Sequence, residues 1–86
     1  SLHAFKRLRE RNISKDDYKN SIFTGEIIEH YPQSARLPSC LICSQSLKQM
    51  PLHNVTGYDE EYLYAVTAYY PEPDKWENDF KTRRVK

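Results

Sequence analysis

The order of its β-rich runs constrains this chain more than any other feature. Between Gly25 and Pro71 four such runs follow one another, and both helical segments stand ahead of them. Glu26-Ile27-Ile28-Glu29-His30-Tyr31 stops at Pro32, and residues 32–38, with two prolines and Arg36, read as a loop. Residues 39–44 form the second run, 52–58 the third and 61–70 the fourth and longest, closed by Pro71-Glu72-Pro73. Leu2, Phe5 and Leu8 recur at helical spacing, so residues 2–11 are expected to form an amphipathic helix. Ser14 then looks like an N-cap with Asp17 completing an S-x-x-D box, and Ile13 and Tyr18 suit a hydrophobic staple. A second helix follows over 15–23, ended by Thr24-Gly25. After the sheet, residues 74–80 can form a short helix with Trp76 and Phe80 on one face. The expected fold is α+β: two N-terminal helices on one face of a four-stranded antiparallel sheet, then a short basic C-terminal helix or tail. The other sheet face is left more open, and a function would sit there.

At 86 residues the chain is one domain, 1–86, too small to wall off a deep site. A shallow groove on a sheet face or edge is the form expected. No apolar run approaches the roughly 20 residues that span a bilayer, and Ser1–Arg7 lacks signal-peptide order, so a soluble, cytoplasmic protein with no membrane partner is expected. The 13 Lys+Arg and 12 Asp+Glu nearly cancel, but they are unevenly spread. Lys6, Arg7, Arg9 and Arg11 load the first segment and Lys81, Arg83, Arg84 and Lys86 the last, with most acids between. If the termini meet, they make one basic face; otherwise they are solvated surfaces.

Cys40 and Cys43 form a C-x-x-C on what reads as a buried strand. Residues three apart on a strand point to opposite faces, so the two sulfurs are expected to share neither a metal nor a bond. In the fourth strand, alternation puts Tyr62, Tyr64, Val66, Ala68 and Tyr70 on one face and Leu63, Ala65, Thr67 and Tyr69 on the other. Tyr69 and Tyr70 would then point apart, and at most one would meet an unstacked base.

The chain has no Gly-rich phosphate loop and no Ser/His/Asp pattern, and neither a metal nor a cofactor is expected. It does supply imidazoles, stackable rings and cations. Metal-free RNA cleavage needs a base for the 2′-hydroxyl, an acid for the leaving 5′-oxygen and cations for the phosphorane. His53, inside the third strand, is the candidate base, with a satisfied structural histidine as the alternative. Tyr69 or His3 is the candidate acid, and Arg83 with Arg36 the phosphate clamp. Lys81, Arg84 and Tyr70 complete the expected RNA contacts, while ion pairs with Glu72, Asp74 or Asp79 remain the alternative for the arginines.

Glu10-Arg11-Asn12-Ile13-Ser14, Gly25-Glu26-Ile27-Ile28-Glu29, Pro38-Ser39-Cys40-Leu41-Ile42, Pro51-Leu52-His53 and Thr67-Ala68-Tyr69-Tyr70-Pro71-Glu72-Pro73-Asp74-Lys75-Trp76 together resemble the domain-of-unknown-function family DUF4258. The resemblance implies a fold similar to the RelE, BrnT and MqsR bacterial toxins. It also implies the toxin role of a type II toxin–antitoxin pair, as an mRNA endoribonuclease. The partners implied are mRNA, free or on the ribosome, and a cognate antitoxin, for which a zinc-finger type is the candidate; DNA is not expected to bind the chain alone. A non-catalytic RNA- or protein-binding module of the same fold is the alternative. The chain departs from the family's expected pattern at Cys43-Ser44, at Asn54 and at Met50, where Gly, a β-branched apolar residue and Gly are usual in turn.

Overall fold

Ser14 begins the helix as its box requires. In the computed structural model, which describes residues 11–85, its hydroxyl accepts from the Asp17 N–H at 2.9 Å. Asp17 in return accepts from the Ser14 N–H at 3.5 Å, and its other oxygen takes the Leu47 N–H at 2.6 Å. One carboxylate thus starts helix α1 (Lys15–Thr24) and ties it to the turn between the second and third strands. Gly25 ends the helix where Ile42 and the Ser21 carbonyl approach so closely that a Cβ would lie 2.4 and 2.5 Å from them. Residues 2–10 of the expected helix over 2–11 lie outside the described residues, as does His3, and Arg11 stands in a turn.

The sheet is the expected antiparallel meander in the order β1 (Glu26–Tyr31), β2 (Ser39–Gln45), β3 (Pro51–Tyr58), β4 (Leu63–Tyr69). Asn54 and Thr56 face α1, and His53 faces away from it. Cys40 and Cys43 are both buried, unbridged and on opposite faces, as their spacing requires.

Two bulges reset the alternation. In β1, Ile27 pairs with Ile42 and Glu29 with Leu41, so Ile28 is the extra residue. Glu26 and Glu29, three apart, consequently share the face away from α1. In β4, Thr67 pairs with Val55 and Ala65 with Thr56, so Val66 is extra. Ala65 and Ala68 therefore both lie on the α1 side, which corrects the strict two-face division of the fourth strand.

Ile13, Leu52 and Ala68 form the core on the α1 side, with Tyr18 and Tyr70 packed against it. A buried polar chain runs beside this core. Asn54 Nδ2–H donates to Ser21 Oγ, which donates to the Tyr18 carbonyl at 2.6 Å. Thr56 Oγ1–H donates to Asn54 Oδ1 at 2.7 Å, leaving the Tyr18 hydroxyl to donate to Thr56 at 3.0 Å. Asn54 is thus a connector between helix and sheet, which accounts for a polar residue where an apolar one is usual.

The segment after Pro71 corrects two expectations. It forms no helix over 74–80, and it covers part of the sheet face expected to be open. Asp79 accepts the N–H groups of Lys81 at 2.8 Å and Thr82 at 3.0 Å, holding a turn in which Phe80 has φ 57°. Glu77 N–H then bonds the Thr82 carbonyl at 2.7 Å, and Arg84 N–H bonds the Lys75 carbonyl at 3.0 Å, on either side of a Trp76–Arg83 bridge. Trp76 is buried against His53, with ring centroids 4.5 Å apart. Among the described residues no helix is long and apolar enough to cross a membrane.

Candidate nucleic-acid interface

Where β4 ends and the C-terminal segment turns back, a cleft of about 610 Å³ opens between Arg11, Tyr69, Tyr70, Glu72, Lys75, Trp76 and Arg83. The turn at Pro71-Glu72-Pro73 is what brings these groups together. It carries Lys75 and Trp76 back past the strand end, and the Trp76–Arg83 bridge then adds the guanidinium. Arg11 arrives from the other side of the sequence, its Nη1 donating to Thr67 Oγ1 at 2.6 Å and to the Ala68 carbonyl at 2.7 Å. The Tyr70 hydroxyl donates to the Asn12 carbonyl at 3.1 Å and fixes the approach of that segment.

Tyr69 stands at the centre of the cleft's electrostatics. Burial raises the pKa of its phenol, while the positive charges of Arg83, Arg11 and Lys75 act against that rise and Glu29 adds to it. A phenol that stays protonated at neutral pH beside three cations is suited to donate a proton or hydrogen bond to an anionic ligand. Tyr69 and Tyr70 point to opposite faces as expected, Tyr69 toward His53 and Tyr70 toward the core on the α1 side, and both still line the cleft because it lies around the strand end.

His53 stands behind Tyr69. Its Nε2–H donates to the Phe80 carbonyl at 2.6 Å, so Nδ1 carries the lone pair and faces the Tyr69 hydroxyl at 3.4 Å. The ring lies edge-on between Trp76 and Tyr69 and is fully buried. Burial lowers its pKa, opposed by the Phe80 carbonyl and by Glu29. The expected direct action of His53 on a 2′-hydroxyl is not available in this arrangement, because Trp76 and Phe80 cover the imidazole. Its geometry makes it a support for Tyr69.

Arg83 is held from below by Glu29, with Nε to Oε2 at 2.7 Å and Nη2 to Oε1 at 3.0 Å, and its guanidinium lies 4.6 Å from the Trp76 ring centroid. These bonds hold the Glu29 carboxyl below the usual carboxylate range despite some burial. Tyr31 donates to the same carboxylate, and burial together with that bond pushes its phenol up to about 12.

The remaining candidates are dispersed. Lys81 pairs with Glu26 at 3.0 Å and lines a separate depression beside Cys43 and Gln49. Arg84 is engaged by the Pro73 carbonyl at 2.8 Å, Glu77 at 3.3 Å and Asn78 at 3.5 Å, and Arg36 is exposed in the loop over 32–38. Sequence reasoning missed Lys75, Glu29 and Tyr31 and left Arg11 within a general basic segment. The bulge at Ile28, which sets Glu29, the turn after Pro71, which returns Lys75, and the long-range bonds of Arg11 to Thr67 and Ala68 leave no periodic trace. Among the described residues no group of three or more His, Cys, Asp or Glu side chains is placed to hold a metal.

The family model described as Domain of unknown function (DUF4258) matches residues 1–70. The chain belongs to the DUF4258 family. Within this DUF4258 protein the matched region carries Arg11, His53, Tyr69 and Tyr70, while Lys75, Trp76 and Arg83 lie beyond it. Comparison with curated proteins and with solved structures returns no match.

Proposed function

We propose that this DUF4258 protein is a cytoplasmic toxin of a bacterial type II toxin–antitoxin pair, acting as a metal-independent mRNA endoribonuclease on a RelE/BrnT/MqsR-like fold. A cognate antitoxin, with a zinc-finger type as the candidate, is its second partner. The observation that carries the reading is the convergence of Arg11, Lys75 and Arg83 around the Tyr69 phenol in one open cleft. Three cations can share the charge of a pentacoordinate phosphorane, and a positioned phenol can protonate the leaving 5′-oxygen. Glu72 is the carboxylate on the cleft wall and takes the role of base toward the 2′-hydroxyl. Tyr70 offers a ring to an unstacked base. His53 acts as a positioning residue: its ring packs edge-on against Tyr69, and the phenol, resting on Nδ1, turns its one proton to the 5′-oxygen when RNA enters the cleft.

The burial of His53 favours a second reading, a module that binds RNA in the same cleft without cutting it. Single-turnover cleavage of a defined RNA, with and without ribosomes, separates the two. Tyr69→Phe is expected to keep the fold and RNA binding while slowing cleavage by about 10²–10⁴-fold, the usual worth of a positioned acid–base group. Arg83→Ala should lower binding and rate together. No cleavage by the parent, with binding that depends on Arg83, would replace the enzyme by the module. No RNA binding at all would remove both.

A further inference from the structure

The best-formed anion receptor of the cleft is already filled by the protein. Arg83 meets Glu29 through two roughly parallel N–H···O bonds of 2.7 and 3.0 Å, and the Tyr31 hydroxyl adds a third donor to the same carboxylate. A guanidinium fork with a neighbouring phenol is also what two non-bridging oxygens of a phosphodiester accept from. The Trp76 ring, its centroid 4.6 Å from the guanidinium carbon, and the two bonds to Glu29 hold the guanidinium in place before any ligand arrives. The arginine side chain is 58% exposed and Glu29 only 24%, so a ligand entering from the cleft meets the guanidinium first and gains the edge that Glu29 holds by exchange with it.

Resting on the RNA-binding reading above, we propose that Glu29 occupies the phosphate seat of Arg83, and that RNA binds by displacing this carboxylate from the guanidinium. Glu29 then determines specificity as well as resting state. An isolated anion must compete against a carboxylate already held by three donors. A phosphodiester chain brings neighbouring phosphates to Arg11 and Lys75 at the same time, and this added attraction drives the exchange. Lys75 is held in a similar way, 3.0 Å from Glu72, so two of the three cleft cations rest against internal carboxylates.

The experiment titrates an RNA oligomer carrying 2′-O-methyl groups at every ribose, which cannot be cleaved, into the full chain. The parent, Glu29→Gln and the double variant Glu29→Gln/Arg83→Ala are compared by fluorescence anisotropy, with circular dichroism as the check of folding. Loss of the competing charge in Glu29→Gln is expected to tighten binding by about tenfold, and the double variant should lose that gain. A folded Glu29→Gln that binds no better, while the parent binds through Arg83, makes Glu29 a tether of the C-terminal segment and overturns the proposal without touching the RNA-binding reading. Absence of RNA binding by the parent and by Glu29→Gln overturns both. If Glu29→Gln does not fold, the Arg83 Nε–H resonance of the parent decides. Movement of that resonance as RNA saturates supports the exchange, and bound RNA with the resonance unmoved rejects it.

Discussion

His53 carries a stability signature that separates its structural role from catalysis. Burial depresses its folded pKa below the ordinary 6.5, so the unfolded chain takes up this proton more readily than the folded one. Its effect is absent above that value and grows as pH falls through the window beneath it, where protonation favours unfolding. The urea midpoint of the parent should therefore drop between about pH 7.5 and 5.5 more than that of His53→Leu, which cannot titrate. At the upper pH the same variant should lose about 1–3 kcal/mol, because the Phe80 carbonyl is left without its donor. Equal slopes for the two proteins in that window would mean that the imidazole stays hydrated. The residue scale is also where the sequence is least legible. His53 and Asn54 stand side by side on β3, yet one is sealed beneath Trp76 and the other links Ser21 to Thr56 under α1. Trp76 and Ser21, the partners that separate the two fates, lie more than 20 positions away from them, which periodicity does not register.

At the scale of elements, local chemistry was a reliable guide wherever it acted alone. The Ser14 box, the stop at Gly25 and the four strands follow from capping, breakers and β-rich runs, and they stand as expected. The segment over 74–80 failed the same treatment because two local signals compete there. Trp76 and Phe80 have helical spacing, but Asp79 captures the next two backbone N–H groups and the Trp76 ring finds a place on the sheet. The turn between β2 and β3 shows the opposite case, a position held against its preference. Ser46 N–H bonds the Met50 carbonyl and Gln49 N–H bonds the Ser46 carbonyl, both at 2.8 Å, and Gln49 is left with φ 62°. The glycine missed before Pro51 is thus felt one residue earlier. Gln49→Gly should relieve the left-handed strain and raise stability by about 0.5–1 kcal/mol, since the gain in the folded turn exceeds the added freedom of the unfolded chain. Chemical denaturation measures this directly, and a lower midpoint in the variant would show that the Gln49 side chain contributes more than its backbone costs.

Over the whole molecule, charge placement decides which surface would hold RNA under the proposed function. The sequence places cations near both ends of a nearly neutral chain, and a basic face made of both termini is the natural expectation. Arg11 and Arg83 do meet across one cleft, but much of the C-terminal charge is spent on acids far away in sequence: Lys81 on Glu26 and Arg83 on Glu29, 55 and 54 positions apart. The Ile28 bulge makes this possible by turning both glutamates to the same face. Arg84 is committed within its own segment, whereas Arg11 is held by neutral acceptors and keeps its full charge toward the cleft. RNA affinity should therefore depend on salt through a few cleft contacts rather than through total charge. For single strands each lost phosphate contact lowers the log–log slope of affinity against salt by about 0.7, and Arg11→Ala and Lys75→Ala should each show a decrease of that size. Lys81→Ala and Arg36→Ala should leave the slope where it was, Lys81 because it faces the depression beside Cys43 and Arg36 because its loop lies outside the cleft. The measurement is anisotropy of a non-cleavable RNA across a salt series, with each variant's fold verified. A slope that falls for Lys81→Ala or Arg36→Ala and holds for Arg11→Ala and Lys75→Ala would move the interface away from the β4 end altogether. Tyr69 would then lose its part in any chemistry on RNA.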